Sequence, residues 1–220
     1  MPDGTVHTSA PSGEQYEIRH GDQRVFIAEV GGGIRQFTTG GHVVLYGYTR
    51  DEHCPFYAGK PLVPWPNRIA DGRYVFGGVE HQLALNEPER RNAIHGLLQW
   101  RPWKRLAHRP SHVVVAARLH PMQGYPFDLD VRITYRLSSD GLHVVTSARN
   151  VGGAPCPYAV GQHPLLSTTG QRSPNASCRS TPTRTSSSTT NDACRLPRFP
   201  PQKSAPTSGG HSRSANACLV

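Results

Sequence analysis

The chain has 220 residues, with 24 Lys and Arg against 15 Asp and Glu for a formal net charge of +9, a length that suits one core and is short for two. No window approaches the roughly twenty apolar residues that span a bilayer, and the N-terminus lacks a basic segment followed by an apolar one, so no membrane partner is expected and the cytoplasm is the default location. Five cysteines without CxxC or Cys/His ligand spacing indicate neither a zinc site nor a disulfide framework, and no cofactor or metal is expected.

In chain order, short segments with a period near two read as strands: Tyr16 to His20, Val25 to Val30, Ile34 to Thr38, Val43 to Tyr48, Arg73 to Phe76, Val79 to Leu85, Trp103 to His108, Val113 to Leu119, Leu129 to Leu137 and Leu142 to Asn150. Gly31-Gly32-Gly33, Gly40-Gly41, Gly77-Gly78 and Ser138-Ser139-Asp140-Gly141 separate them as hairpin turns would. No stretch has a useful helical period. An all-β, largely antiparallel sandwich or barrel is therefore favoured over a parallel α/β sheet.

Three segments break the strand rhythm, and loops held by a rigid sheet are where chemistry concentrates. In Pro64-Trp65-Pro66-Asn67-Arg68-Ile69 two prolines stiffen the backbone and deliver Asn67 and Arg68 side by side; the guanidinium fork suits a hydroxyl-rich or anionic ligand. The plain structural alternative packs Trp65 on the core and has Arg68 capping carbonyls. In Asn92-Ala93-Ile94-His95-Gly96-Leu97, Gly96 permits a tight backbone and close approach of His95 to a ligand, while Trp100 and Trp103 suit the apolar face of a sugar ring. Its alternative is a turn with a surface His and two core Trp. In Pro157-Tyr158-Ala159-Val160-Gly161-Gln162-His163-Pro164, residues 158–162 read as an inward strand, and Pro164 pushes His163 towards extended geometry where its imidazole can serve as donor or general acid. A satisfied structural His at a strand end is the alternative.

Past residue 169 the composition changes. Residues 171–220 contain no Trp, Tyr, Ile or Met, and 22 of them are Ser, Thr or Pro. Such a segment cannot bury enough apolar area to offset chain entropy, so a body at 1–169 is expected to be followed by a disordered basic tail at 170–220. The tail carries seven basic residues against Asp192, which leaves 17 − 14 = +3 for the body. Its Arg residues are scattered among Ser and Thr, not set on a patterned helix or aromatic platform, so nucleic acid is not an expected partner.

Taken together, in this order, the motifs resemble the aldose 1-epimerase (galactose mutarotase) family. The resemblance rests on Pro64 to Ile69, Gly72 to Gly77 with Tyr74 and Phe76, Asn92 to Gly96, Gly124-Tyr125-Pro126-Phe127, Asn150, and Pro157 to Pro164, and it covers residues 14–167. It implies the N-terminal portion of a galactose mutarotase-type antiparallel β-sandwich with a sugar site, and metal-free interconversion of α and β anomers of aldohexoses. It further implies that His163 is the general acid, that His95 is a second catalytic histidine near the ring oxygen, that Arg68 and Asn67 bind substrate hydroxyls, and that the partner is a monosaccharide. Leu165-Leu166 replaces the aromatic the family usually carries after His-Pro. The family supplies a sugar-binding Asp and the catalytic Glu from a C-terminal half, and no residue of this chain can be matched to either. The expectation is a truncated copy, inactive and prone to aggregate through unpartnered strands. A reading-frame shift near residues 167–170 accounts for the tail composition, with a natural truncation plus appended tail as the competing account. Two alternatives stand beside the enzyme: a carbohydrate-binding module that uses Arg68, His95 and the Trp residues without turnover, and a nucleic-acid binder acting through the basic tail.

Overall fold

The computed structural model describes residues 10–167. The tail assigned to 170–220, with Asp192, lies outside them. Four strands open the described chain: β1 (Gln15–His20), β2 (Gln23–Ala28), β3 (Ile34–Thr39) and β4 (His42–Leu45) form an antiparallel meander in sequence order. A second meander follows from β10 (Lys104–Arg109), β11 (His112–Leu119), β12 (Leu129–Ser138) and β13 (Gly141–Asn150). Between and after them run six short strands: β5 (Pro61–Leu62), β6 (Arg68–Ala70), β7 (Arg73–Phe76), β8 (Val79–Gln82), β9 (Asn92–Ile94) and β14 (Gly161–Gln162). These pair as β14 with β5, β6 with β9 and β7 with β8, all antiparallel. Among the described residues no helix is long and apolar enough to cross a membrane.

The strand alternation read from the sequence decides which face is buried. In β12, Leu129, Val131, Ile133, Tyr135 and Leu137 point inward while Arg132 and Arg136 face solvent. In β1 and β2, Tyr16, Ile18, Val25 and Ile27 do the same, and the two meanders share one apolar core through these residues and Trp103. Each such side chain contributes about 1.5–3 kcal/mol on burial. Two buried polar groups in this core are satisfied: the Tyr135 hydroxyl of β12 donates to the Gly32 carbonyl of the β2–β3 turn at 2.7 Å, and Trp103 Nε1 donates to the Leu98 carbonyl at 3.2 Å. The architecture is an antiparallel β-sandwich.

Several predicted strands differ from the observed ones at their ends. The segment Val43 to Tyr48 is strand only to Leu45, and Val79 to Leu85 only to Gln82. The inward strand expected at 158–162 is reduced to Gly161–Gln162. Pro157 has no N–H to offer a ladder, and the Ala159 N–H is taken by the Pro64 carbonyl at 2.8 Å, so this stretch runs alongside the Pro64 loop before it pairs with β5.

Candidate active site

The site is built where three loops converge over the short strand pairs. The first loop crosses the cis peptide Val63–Pro64, buries Trp65, and reaches Asn67 at φ 62. Asn tolerates this left-handed conformation better than most residues. The turn brings its backbone against His95: the Asn67 N–H donates to His95 Nδ1 at 3.1 Å, and the His95 N–H donates to the Asn67 carbonyl at 3.0 Å. His95 is itself at φ 66 and Gly96 follows at φ 81. A Cβ at Gly96 would run into the Val63 carbonyl, which accepts the Leu97 N–H at 2.7 Å, so only glycine fits there.

The accepting role of Nδ1 assigns the proton of His95 to Nε2. Burial, then His163, then Arg68 lower the His95 pKa to about 4, with Glu87 acting the other way. At neutral pH His95 is therefore an uncharged imidazole offering an Nε2–H donor.

His163 follows β14 directly. Gly161 pairs with Leu62 and Gln162 with Pro61, the His163 N–H donates to the Lys60 carbonyl at 3.0 Å, and the Gly59 N–H donates to the His163 carbonyl at 2.8 Å. Held on both sides, the ring sits 5.1 Å from that of His95, at 69° to it. Burial lowers its pKa, and its Nδ1 is buried with no hydrogen-bond partner among the described residues. Two imidazoles at right angles, one with its tautomer fixed by backbone, can give and recover a proton on a shared ligand.

Arg68 opens β6, opposite Ile94 of β9. Its guanidinium grips Glu87 with two hydrogen bonds, Nε to Oε2 at 2.7 Å and Nη2 to Oε1 at 2.8 Å, while Nη1 lies 3.4 Å from Asn67 Oδ1. Glu87 is held in turn by Asn92, whose Nδ2 donates to Oε2 at 2.7 Å and whose backbone exchanges two hydrogen bonds with that of Glu87. The Arg68 hydrogen bonds hold the Glu87 carboxylate at about 2, below the ordinary carboxylate range. The side chain of Arg68 keeps 31% exposure, so the fork is anchored on one edge and open on the other.

All four residues singled out in the sequence thus meet in one place. Arg68 does not cap carbonyls, as the structural alternative had it; it is paired with Glu87. The tryptophans divide: Trp65 and Trp103 are core residues at 4% and 0% exposure, and only Trp100, half exposed, could face a ligand. Packing Trp103 between the meanders leaves it no access to a site, which corrects its expected part in a sugar platform. Three neighbours were missed. Glu87 is an acidic residue in a charged surface run, Glu87-Pro88-Glu89-Arg90-Arg91, where nothing marks one carboxylate from the next. Tyr57 and Lys60 lie in a segment without periodicity. The apolar cavity beneath Trp65, bounded by Tyr125 and Pro157, has room of about 20 Å³, enough for one water and far too small for a sugar.

A model of the aldose 1-epimerase family matches residues 14–207, most of the chain and beyond the boundary read at 169. The chain belongs to the aldose 1-epimerase family. Among curated relatives it is similar to the uncharacterized protein YihR of Escherichia coli K12, 39% identical over 156 residues, which cover 70% of this chain and 51% of that protein. It is also similar to galactose mutarotase of Mus musculus, 32% identical over 144 residues that cover 61% of this chain and 38% of the relative. Of solved structures, a putative aldose 1-epimerase from Escherichia coli K12 aligns with a TM-score of 0.60 at 26% identity, over 69% of this chain and 51% of that one. An aldose epimerase homologue from C. elegans aligns with a TM-score of 0.64 at 22% identity, over 72% and 52% of the two chains, and bears on the fold alone. The chain spans about half the length, or less, of the curated relatives it matches.

Proposed function

We propose that this site binds an aldohexose and serves the acid side of anomer interconversion. The observation that carries the reading is the convergence of His95, His163, Arg68 and Asn67 from three separate loops of an aldose 1-epimerase family chain. Arg68 and Asn67 hold sugar hydroxyls through the open edge of the guanidinium and the side-chain amide. His163 is the general acid at the ring oxygen, and neutral His95 supports it through Nε2–H. In the reaction, a base removes the proton of the C1 hydroxyl, the C1–O5 bond breaks with its electron pair going to O5, and the acid protonates O5. The aldehyde then turns about C1–C2 and closes by the reverse proton transfers on its other face.

The proposed acid half has candidates among the described residues, and the base half has none among them. The carboxylate that acts on His95, Glu87, is locked to Arg68 and too acidic to take a hydroxyl proton. With no residue matched to the catalytic Glu of the family, we read this chain as sugar-binding but without turnover. Polarimetry on freshly dissolved α-D-glucose checks this: the purified chain leaves the spontaneous rate unchanged, and a clear acceleration that depends on His163 would contradict it.

A further inference from the structure

We propose that Tyr57 and Trp100 form an aromatic wall against which the apolar face of the sugar lies, with buried Lys60 as the positioning residue that holds Trp100. The inference rests on the aldohexose reading above. It adds the side of the site that recognises carbon rather than hydroxyls.

Tyr57 is the centre of the arrangement. Its ring lies 4.9 Å from that of His95, 6.5 Å from that of His163 and 5.7 Å from that of Trp100, so one side chain touches both imidazoles and joins them to the indole. The chain reaches it through two consecutive non-glycine residues at positive φ, Phe56 at 49° and Tyr57 at 58°. Such residues are uncommon singly and costly as a pair, and they persist where the surroundings enforce them. Here the enforced result is a Tyr ring turned toward the imidazoles.

Trp100 is 50% exposed beside these polar groups. The indole is backed by an ammonium: Lys60 Nζ lies 4.4 Å from the ring centroid and donates to the Val30 carbonyl at 3.0 Å, with Lys60 itself 2% exposed. Burying a Lys head is unfavourable unless something compensates, and a cation over an indole face is among the stronger compensations. The backbone of Lys60 accepts from His163 and donates to Tyr57 at 3.0 Å each, so one residue ties the acid, the Tyr and the Trp to a common frame. An indole held by a buried cation and half exposed beside Tyr57 can stack on the apolar face of a pyranose. D-Galactose presents such a surface, because its axial 4-hydroxyl leaves the C3, C4 and C5 hydrogens together on the opposite face.

The test uses D-galactose and the full 220-residue chain, followed by saturation-transfer NMR and by intrinsic fluorescence. With Trp65 and Trp103 buried, an emission change on adding sugar reads Trp100. We expect emission and NMR to titrate with one midpoint, and Trp100→Ala to abolish the emission response and weaken galactose by about 2- to 12-fold. Lys60→Met is expected to make Trp100 more accessible to acrylamide and to weaken galactose similarly; should that variant fail to fold, the surface substitution Trp100→Ala decides alone. Galactose binding that is lost in Arg68→Met but unchanged in Trp100→Ala would overturn the wall and leave the aldohexose site standing. No NMR response from the unmodified chain would overturn the site, and the wall with it.

Discussion

Asn67 and His95 both adopt positive φ, and each satisfies the backbone or ring of the other. This reciprocal hold is why His95 presents a defined tautomer to the site. Glu87 performs the same service for Arg68, orienting the guanidinium without touching the ligand. Replacing it, Glu87→Gln, removes the charge while keeping the shape. The pair is partly exposed, so we expect a stability cost of only about 1 kcal/mol by urea denaturation, together with a several-fold weaker affinity for D-galactose by NMR. Unchanged affinity would mean that Arg68 orients itself without the carboxylate. His95, His163, Arg68 and Asn67 could be singled out in the sequence because they stand in ordered motifs that contain proline or glycine. Glu87, Tyr57 and Lys60 were not, since their roles come from long-range pairings such as Arg68 with Glu87, nineteen residues apart, which no local pattern encodes.

At the scale of elements, the strands of four residues or more were readable, β7 at its observed bounds, while β5, β6 and β9 were not and β14 only as part of a longer run. The ten-residue strands β12 and β13 display several cycles of alternation, and both were anticipated to within a residue at each end. The strands that carry the site, β5, β6, β9 and β14, have two or three residues each, too few for a period to appear. What holds them is close backbone packing, and Gly96 is one of its tightest points. Gly96→Ala places a methyl against the Val63 carbonyl at a φ that L residues rarely adopt. We expect a loss of about 2 kcal/mol or more in urea denaturation, whereas an unchanged midpoint would show that the loop can yield and that the close approach is not structural.

On the scale of the molecule, the two meanders share one apolar core, while the irregular chain between β4 and β10 and the segment after β13 carry the candidate site residues. This division explains why fold class followed from periodicity while the family followed from the order of loop motifs. The described residues bring His95, His163, Arg68 and Asn67 together on an antiparallel sandwich of an aldose 1-epimerase family chain. Under the proposed function, His95 and His163 face one aldohexose, with His95 uncharged. The most direct measurement is a long-range proton–nitrogen NMR titration of the imidazoles from pH 8 to pH 3, with and without D-galactose. Burial and the neighbouring positive groups oppose protonation of His95, so its Nε2–H form should persist as pH falls through the ordinary imidazole value of 6.5 and be lost only near 4. Sugar should shift the ring nitrogens of both His95 and His163. A His95 that titrates near 6.5, or imidazole signals indifferent to galactose, would contradict the account.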